Sequence, residues 1–273
     1  TSKYLHRYDE GWFGNLDCRS MKVDVKEAIL FAISRYDYAY AYKLAERAES
    51  SVQSDLVNLL EALAERRELN IQSMMNLKLE ITGSVLADFQ LFCHEDEADE
   101  QLVNYLYDLE AKLRNEQLID FIRAVSPAIY RIFMRLIRMQ IPDIESYIHN
   151  SRGASYDRWK FEKMRHSDNP VLQNFHAEST VNSSSLTELI LQLHLPESVK
   201  ESARQLRELE KSVRNPLAHL IKPFDEEELH RTTGFSSQHF MDLLVDLAQE
   251  TGIVYQREPF YFDRANAVIE SFL

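Results

Sequence analysis

Arg214, Asn215 and His219 bring a guanidinium, an amide and an imidazole together in the run Ser212-Val213-Arg214-Asn215-Pro216-Leu217-Ala218-His219-Leu220. The chemistry that suits this set is cleavage of RNA without a metal. A ribose 2′-hydroxyl attacks its own phosphodiester, which requires proton transfer at the attacking and leaving oxygens and positive charge around the phosphoryl oxygens. Histidine moves protons near neutrality because its unperturbed pKa is about 6.5. Arginine keeps its charge, and its fork matches two phosphate oxygens. On spacing alone the same residues also suit a surface cation and a satisfied core histidine.

The elements that must hold these residues are helical. Pro196 opens a run in which Val199, Ala203, Leu206, Leu209 and Val213 recur at helical spacing, so a helix leads into the motif. Pro216 disfavours helical backbone at Asn215, while Asn is a favoured N-cap and Pro a favoured first helical residue. The spacing therefore predicts a second helix starting at Pro216, after a break or across a kink. Its N-terminus would offer unpaired N–H groups to an anion such as phosphate. Asn215 and His219, four apart, share a face if the helix runs through them, with Arg214 at the edge of that face.

Arg214-Asn215-Pro216-Leu217-Ala218-His219 matches the R-x4-H motif of the HEPN ribonuclease superfamily, including the frequent Asn after Arg. The longer run from Leu217 to Thr233 resembles more narrowly the Csm-type ancillary ribonucleases of type III-A CRISPR systems. Arg35-Tyr36-Asp37-Tyr38-Ala39-Tyr40-Ala41-Tyr42-Lys43-Leu44 is similar to their helical linker, and the resemblance runs from about Met21 onward. It implies an N-terminal sensor domain of the CARF class that binds cyclic oligoadenylate, a helical middle domain and a C-terminal HEPN domain. It further implies a homodimer in which two R-x4-H motifs form one composite site for single-stranded RNA, with no metal and no cofactor. Carried onto this chain, Arg214 and His219 are the catalytic residues and Asn215 a positioning residue. The products would be a 2′,3′-cyclic phosphate and a 5′-hydroxyl. The chain departs from the family at its front, where no sensor domain is legible, so cyclic oligoadenylate would act only through that missing domain. A non-catalytic helical dimerisation or interaction module is the alternative reading.

Length and composition agree with a helical globular chain. Its 273 residues are enough for one or two domains, and 45% hydrophobic and 27% charged residues with 6 glycines fit a soluble helical protein. The expected plan is all-α: 1–20 the tail of an upstream domain or a linker, 21–94 a helical middle domain, and 95–273 a HEPN-like bundle with a small β-hairpin near the C-terminus. Cys18 and Cys93 form neither a disulfide framework nor a zinc pattern, and are expected as reduced thiols in the cytoplasm. No membrane segment or signal peptide is legible. The net charge of -13 argues against a nonspecific duplex-DNA binder. Local positive charge is nevertheless available, from Arg131, Arg135 and Arg138 at helical spacing and from Arg152, Arg158, Lys160, Lys163 and Arg165. Each of these also fits a solvated face balanced by nearby acids.

Along the chain, helices are expected over 23–33, 38–49, 56–63, 102–113 and 118–139, the last kinked at Pro127. The tyrosines at 36, 38, 40 and 42 alternate like a strand, but Ala39, Ala41 and the run after them favour helix. The acidic run His94 to Glu100 reads as a loop or helix start rather than a metal site. A turn is expected at 150–153, a short helix containing Trp159 and Phe161, a break at 166–170 and a serine-rich loop at 179–185 before a helix over 186–193. Asp225 with Glu228 reads as a capping pair, Ser236-Ser237 as the cap of 238–250, Gly252 as its end, 253–262 as a hairpin and Asp263 as the cap of 264–273. Phe235 and Phe240, near the motif, read as packing residues.

Overall fold

A computed structural model of the chain describes residues 18–48, 52–78, 80–81, 89–149, 157–219 and 224–273, and of 18–24 and 214–219 the backbone alone. Of the expected tail at 1–20, residues 1–17 lie outside them, as does the turn at 150–153, while 18–20 begin the first helix. The fold is all-α, with one two-stranded ladder. Two compact units form: Thr1–Leu91 with Phe262–Leu273, and Phe92–Tyr261.

The first unit is a series of helical hairpins. Helices α1 (Cys18–Ser34), α2 (Tyr38–Arg47), α3 (Ser54–Arg67) and α4 (Ile71–Lys78) each pack on the next. Burial follows the apolar period: Ile29, Ala32 and Ile33 of α1, Tyr38, Ala41 and Ala45 of α2, and Leu56, Leu59, Leu60 and Leu63 of α3 are all buried. Of the alternating tyrosines, Tyr38, Tyr40 and Tyr42 are helical as expected and Tyr36 sits in the turn before α2; the helix sorts its own, with Tyr38 buried and Tyr40 exposed. Helix α13 (Tyr261–Phe272) carries Phe262, which packs on Tyr38 with ring centroids 5.3 Å apart. Tyr38 also donates to Asn266 Oδ1 at 2.7 Å, and Asn266 Nδ2 donates to the Ile33 carbonyl at 2.8 Å, so every polar group in this buried joint has a partner. Asp263 lies inside the first turn of α13 rather than capping it, and its carboxylate accepts a hydrogen bond from the Tyr36 phenol at 2.8 Å.

The second unit is organised around α6 (Leu118–Arg138), whose apolar positions from Phe121 to Ile137 are buried against α5 (Glu97–Arg114), α9 (Ser183–Gln192), α10 (Glu197–His219) and α12 (Ser237–Glu250). It continues as one helix through Pro127. Beyond it come a 3-10 turn (Ile144–Tyr147), β1 (Ile148–His149), β2 (Arg158–Trp159), and the short helices α7 (Phe161–Arg165) and α8 (Pro170–Gln173). Helix α11 (Glu226–Thr233) lies between α10 and α12 in sequence.

Strand β1 pairs antiparallel with β2, so the small β element sits here and not at 253–262. The expected hairpin over 253–262 does not form. Pro259 has no N–H to give a ladder, and the aromatics of that segment turn inward: Tyr255 and Tyr261 lie against Tyr107 of α5 at 4.8 and 4.6 Å between ring centroids. Burying those rings outweighs what a short edge ladder would contribute. Trp159 belongs to β2 and not to a helix, because Trp159 Nε1 donates to Ser185 Oγ at 3.1 Å and its ring meets Phe175 edge-on.

Candidate active site

Helix α10 runs as a single element from Glu197 to His219, with Pro216 inside it. The separate helix expected to start at Pro216 is not formed, and the anion-binding N-terminus it would have supplied is absent with it. An internal proline forfeits one backbone hydrogen bond, here to the Ser212 carbonyl. Tertiary packing offsets that loss, since Val199, Ala203, Leu206, Leu209 and Val213 form a buried stripe facing α6, α9 and α12.

Arg214, Asn215 and His219 all belong to this helix, and their side chains lie outside the described residues. At about 100° per residue, the backbone positions of Asn215 and His219 are about 40° apart around the axis, while those of Arg214 and His219 are about 140° apart. One copy of the helix therefore does not carry the arginine and histidine positions on one face.

The helix is braced one turn before Arg214 by a residue that the sequence reading passed over. Glu210 is only 2% exposed, accepts a hydrogen bond from Ser183 Oγ, and pairs with Arg207 at 3.3 Å. Ser183 stands in the first turn of α9, whose start is fixed by a capping box between Asn182 and Ser185. The signal for Glu210 was present in the spacing: the apolar positions 203, 206 and 213 continue through 210, so a carboxylate there has to be buried with partners.

The candidate cations divide into two sets. Arg135 is a structural residue, bonded to Asp99 at 2.5 Å and to Thr251 Oγ1 at 3.0 Å, while Arg138 pairs with Glu145 and Arg165 with Glu162. Burial raises the Glu145 carboxyl, but the Arg138 hydrogen bond, a backbone hydrogen bond and the Arg138 charge together outweigh it and leave the group below its ordinary value. Arg158, Lys160 and Lys163 are exposed and have no carboxylate partner among the described residues. Arg152 lies outside the described residues.

The acidic runs serve as helix starts. Asp96 accepts from Asp99 N at 3.0 Å, and buried Glu100 accepts from the backbone N–H groups of Cys93 and His94 at 2.9 and 2.8 Å. Asp225 accepts from Glu228 N at 2.9 Å, as expected for a capping residue. Among the described residues no group of three or more His, Cys, Asp or Glu side chains is placed to hold a metal ion, and no helix is long and apolar enough to cross a membrane. Phe240 packs edge-on to Phe121 at 5.8 Å, and Phe235 stacks on His239 at 4.7 Å.

Residues 91–270 match the family described as the Cas_Csm6 HEPN domain. No curated protein is significantly similar to the chain. Among solved structures the chain is similar to Enterococcus italicus Csm6 bound to cyclic hexa-2′-fluoro-hexa-dAMP, with a TM-score of 0.60 and 13% identity over 92% of this chain. It spans 57% of that protein's length. At this identity the likeness is one of fold.

Proposed function

We propose, since this chain belongs to the Csm6 HEPN-domain family, that it is a metal-independent endoribonuclease of CRISPR antiviral defence acting on single-stranded RNA. The observation that carries the reading is the position of the R-x4-H motif. Arg214 and His219 lie within the family-matched segment, on a helix packed into the core of the second unit. Arg214 would balance charge on the phosphoryl oxygens as the 2′-oxygen attacks, and His219 would transfer or orient a proton. Asn215, about 40° around the axis from His219, would position the ribose or the phosphate. The products would carry a 2′,3′-cyclic phosphate and a 5′-hydroxyl.

Because Arg214 and His219 occupy positions about 140° apart on one helix, we assign the working site to two copies of α10 related by a two-fold axis. Each copy would supply what the other cannot place on the same side. We assign any cyclic oligoadenylate to a sensor domain and not to the described residues of this chain; the solved relative was captured with an analogue of such a ligand.

The test is cleavage of labelled single-stranded RNA in excess chelator by the parent chain, Arg214→Ala and His219→Ala at matched concentration. Each substitution is expected to lower the rate by about 10²- to 10⁴-fold with helical content and assembly unchanged. Equal cutting by all three would remove both residues from the site and leave α10 as part of a helical interaction module. Loss of the parent's activity in chelator would point to a metal.

A further inference from the structure

Resting on the ribonuclease reading, we infer that the surface carrying Lys160 and Lys163 is a phosphate-binding strip that holds the RNA backbone away from the cleaved bond. Lys160 Nζ and Lys163 Nζ each donate to the same acceptor, the Ser146 carbonyl, at 3.2 Å. The two ammonium groups therefore lie within about 6.4 Å of each other, with no carboxylate partner for either among the described residues. Among the described residues most other cations of this unit are paired, as Lys112 is with Asp108, Arg114 with Glu110, Arg135 with Asp99 and Arg204 with Glu201. In a chain of net charge -13, two unneutralised ammoniums drawn to one oxygen repel each other. A phosphodiester bridging them would relieve that repulsion.

The strip is built on firm support. Lys163 Nζ sits 4.7 Å from the centre of the Tyr147 ring, which confines its reach. Arg158 adds a third exposed cation on β2, whose neighbour Trp159 is bonded through its Nε1 to Ser185 of α9. Ser183, in the same turn of α9, donates to Glu210 of α10, one turn before Arg214. A short chain of buried hydrogen bonds inside one unit thus ties the strip to the helix that carries the motif. Backbone phosphate recognition is independent of base sequence, so the strip would set affinity and register while leaving the chemical step alone.

The experiment measures binding of a fluorescent, 2′-O-methylated single-stranded RNA, which keeps its phosphates but has no attacking hydroxyl, by anisotropy over a series of salt concentrations. The full chain, Lys160→Ala, Lys163→Ala, the double variant and Lys160→Arg/Lys163→Arg are compared. Each lysine removed is expected to lower the slope of log affinity against log salt by about 0.7, and the pair to weaken binding several-fold, to about tenfold. The arginine pair should restore both. On cleavable RNA the double variant should raise KM with kcat unchanged. A parent that cuts RNA and a double variant with parental affinity and slope would overturn the strip and leave the ribonuclease reading standing. A parent that neither binds nor cuts RNA would overturn both.

Discussion

Tyr255 gives its phenol proton to Glu110, whose carboxylate also accepts from Arg114 Nε at 2.8 Å and Nη2 at 2.6 Å. Arg114 in turn lies 4.3 Å from the centre of the Phe260 ring. Burial, reinforced by the Glu110 charge, holds the Tyr255 phenol well above its ordinary value of 10.0. A pKa raised on folding contributes stability that is fully present below the unfolded value and lost as pH rises through the folded one. Alkaline titration should therefore unfold the parent progressively above about pH 10, and Tyr255→Phe should flatten that dependence. At neutral pH the same substitution leaves a buried carboxylate short of one donor, and urea denaturation should read a loss of about 1 to 3 kcal/mol. A parental midpoint would mean that Arg114 alone satisfies Glu110.

At the scale of elements, three helix-to-helix corners share one geometry without a glycine. The links α1 to α2, α3 to α4 and α5 to α6 centre on Tyr36, Leu69 and Glu116, with φ of 56°, 61° and 60°. In each, the backbone N–H after the central residue reaches back to close a Schellman motif: Asp37 to Ala32, Asn70 to Glu65 and Gln117 to Lys112, at 3.0, 2.9 and 2.9 Å. Sequence patterns mark such corners by glycine, so these were legible only as interruptions of the apolar period. Left-handed backbone costs a side-chain-bearing residue roughly 1 to 2 kcal/mol. Glu116 is exposed, and Glu116→Gly is expected to raise stability by up to about 1 kcal/mol after the added unfolded-state entropy is deducted. A lowered thermal midpoint would show that the Glu116 side chain contributes more than its backbone conformation costs.

Acidic crowding acts at the same scale in the first unit. Burial, then the charges of Glu65, Glu80 and Glu46, raise the Glu61 carboxyl above its ordinary value. Its contribution is therefore favourable below about pH 4.5 and lost as pH rises through the folded value. Glu61→Gln should raise the melting temperature at pH 7 and leave it unchanged at pH 4, and an equal shift at both would exclude electrostatics as the cause.

For the whole molecule, the proposed composite site makes activity a property of assembly. With a net charge of -13, two copies repel at long range, and salt screens that repulsion within about 10 Å at 0.1 M. Cleavage per chain should fall steeply once concentration drops below the dimer dissociation constant measured by sedimentation. Activity per chain that stays constant through that transition would place the whole site in one copy.

The sequence by itself determined the helices, several of their caps and the motif. These rest on local rules: apolar residues at a period of 3.6, Asp225 and Ser236 accepting from the backbone at helix starts, and the R-x4-H spacing. Tertiary structure alone decided what depends on partners distant in the chain. It carried α10 through Pro216, where the helix up to Val213 is held by three other helices. It drew Tyr255 and Tyr261 onto Tyr107 instead of into a hairpin, and Trp159 onto Ser185 instead of into a helix. It also separated Arg135, bound to Asp99, from Lys160 and Lys163, left facing solvent, a distinction invisible in residue type because charge neutralisation is set by spatial neighbours.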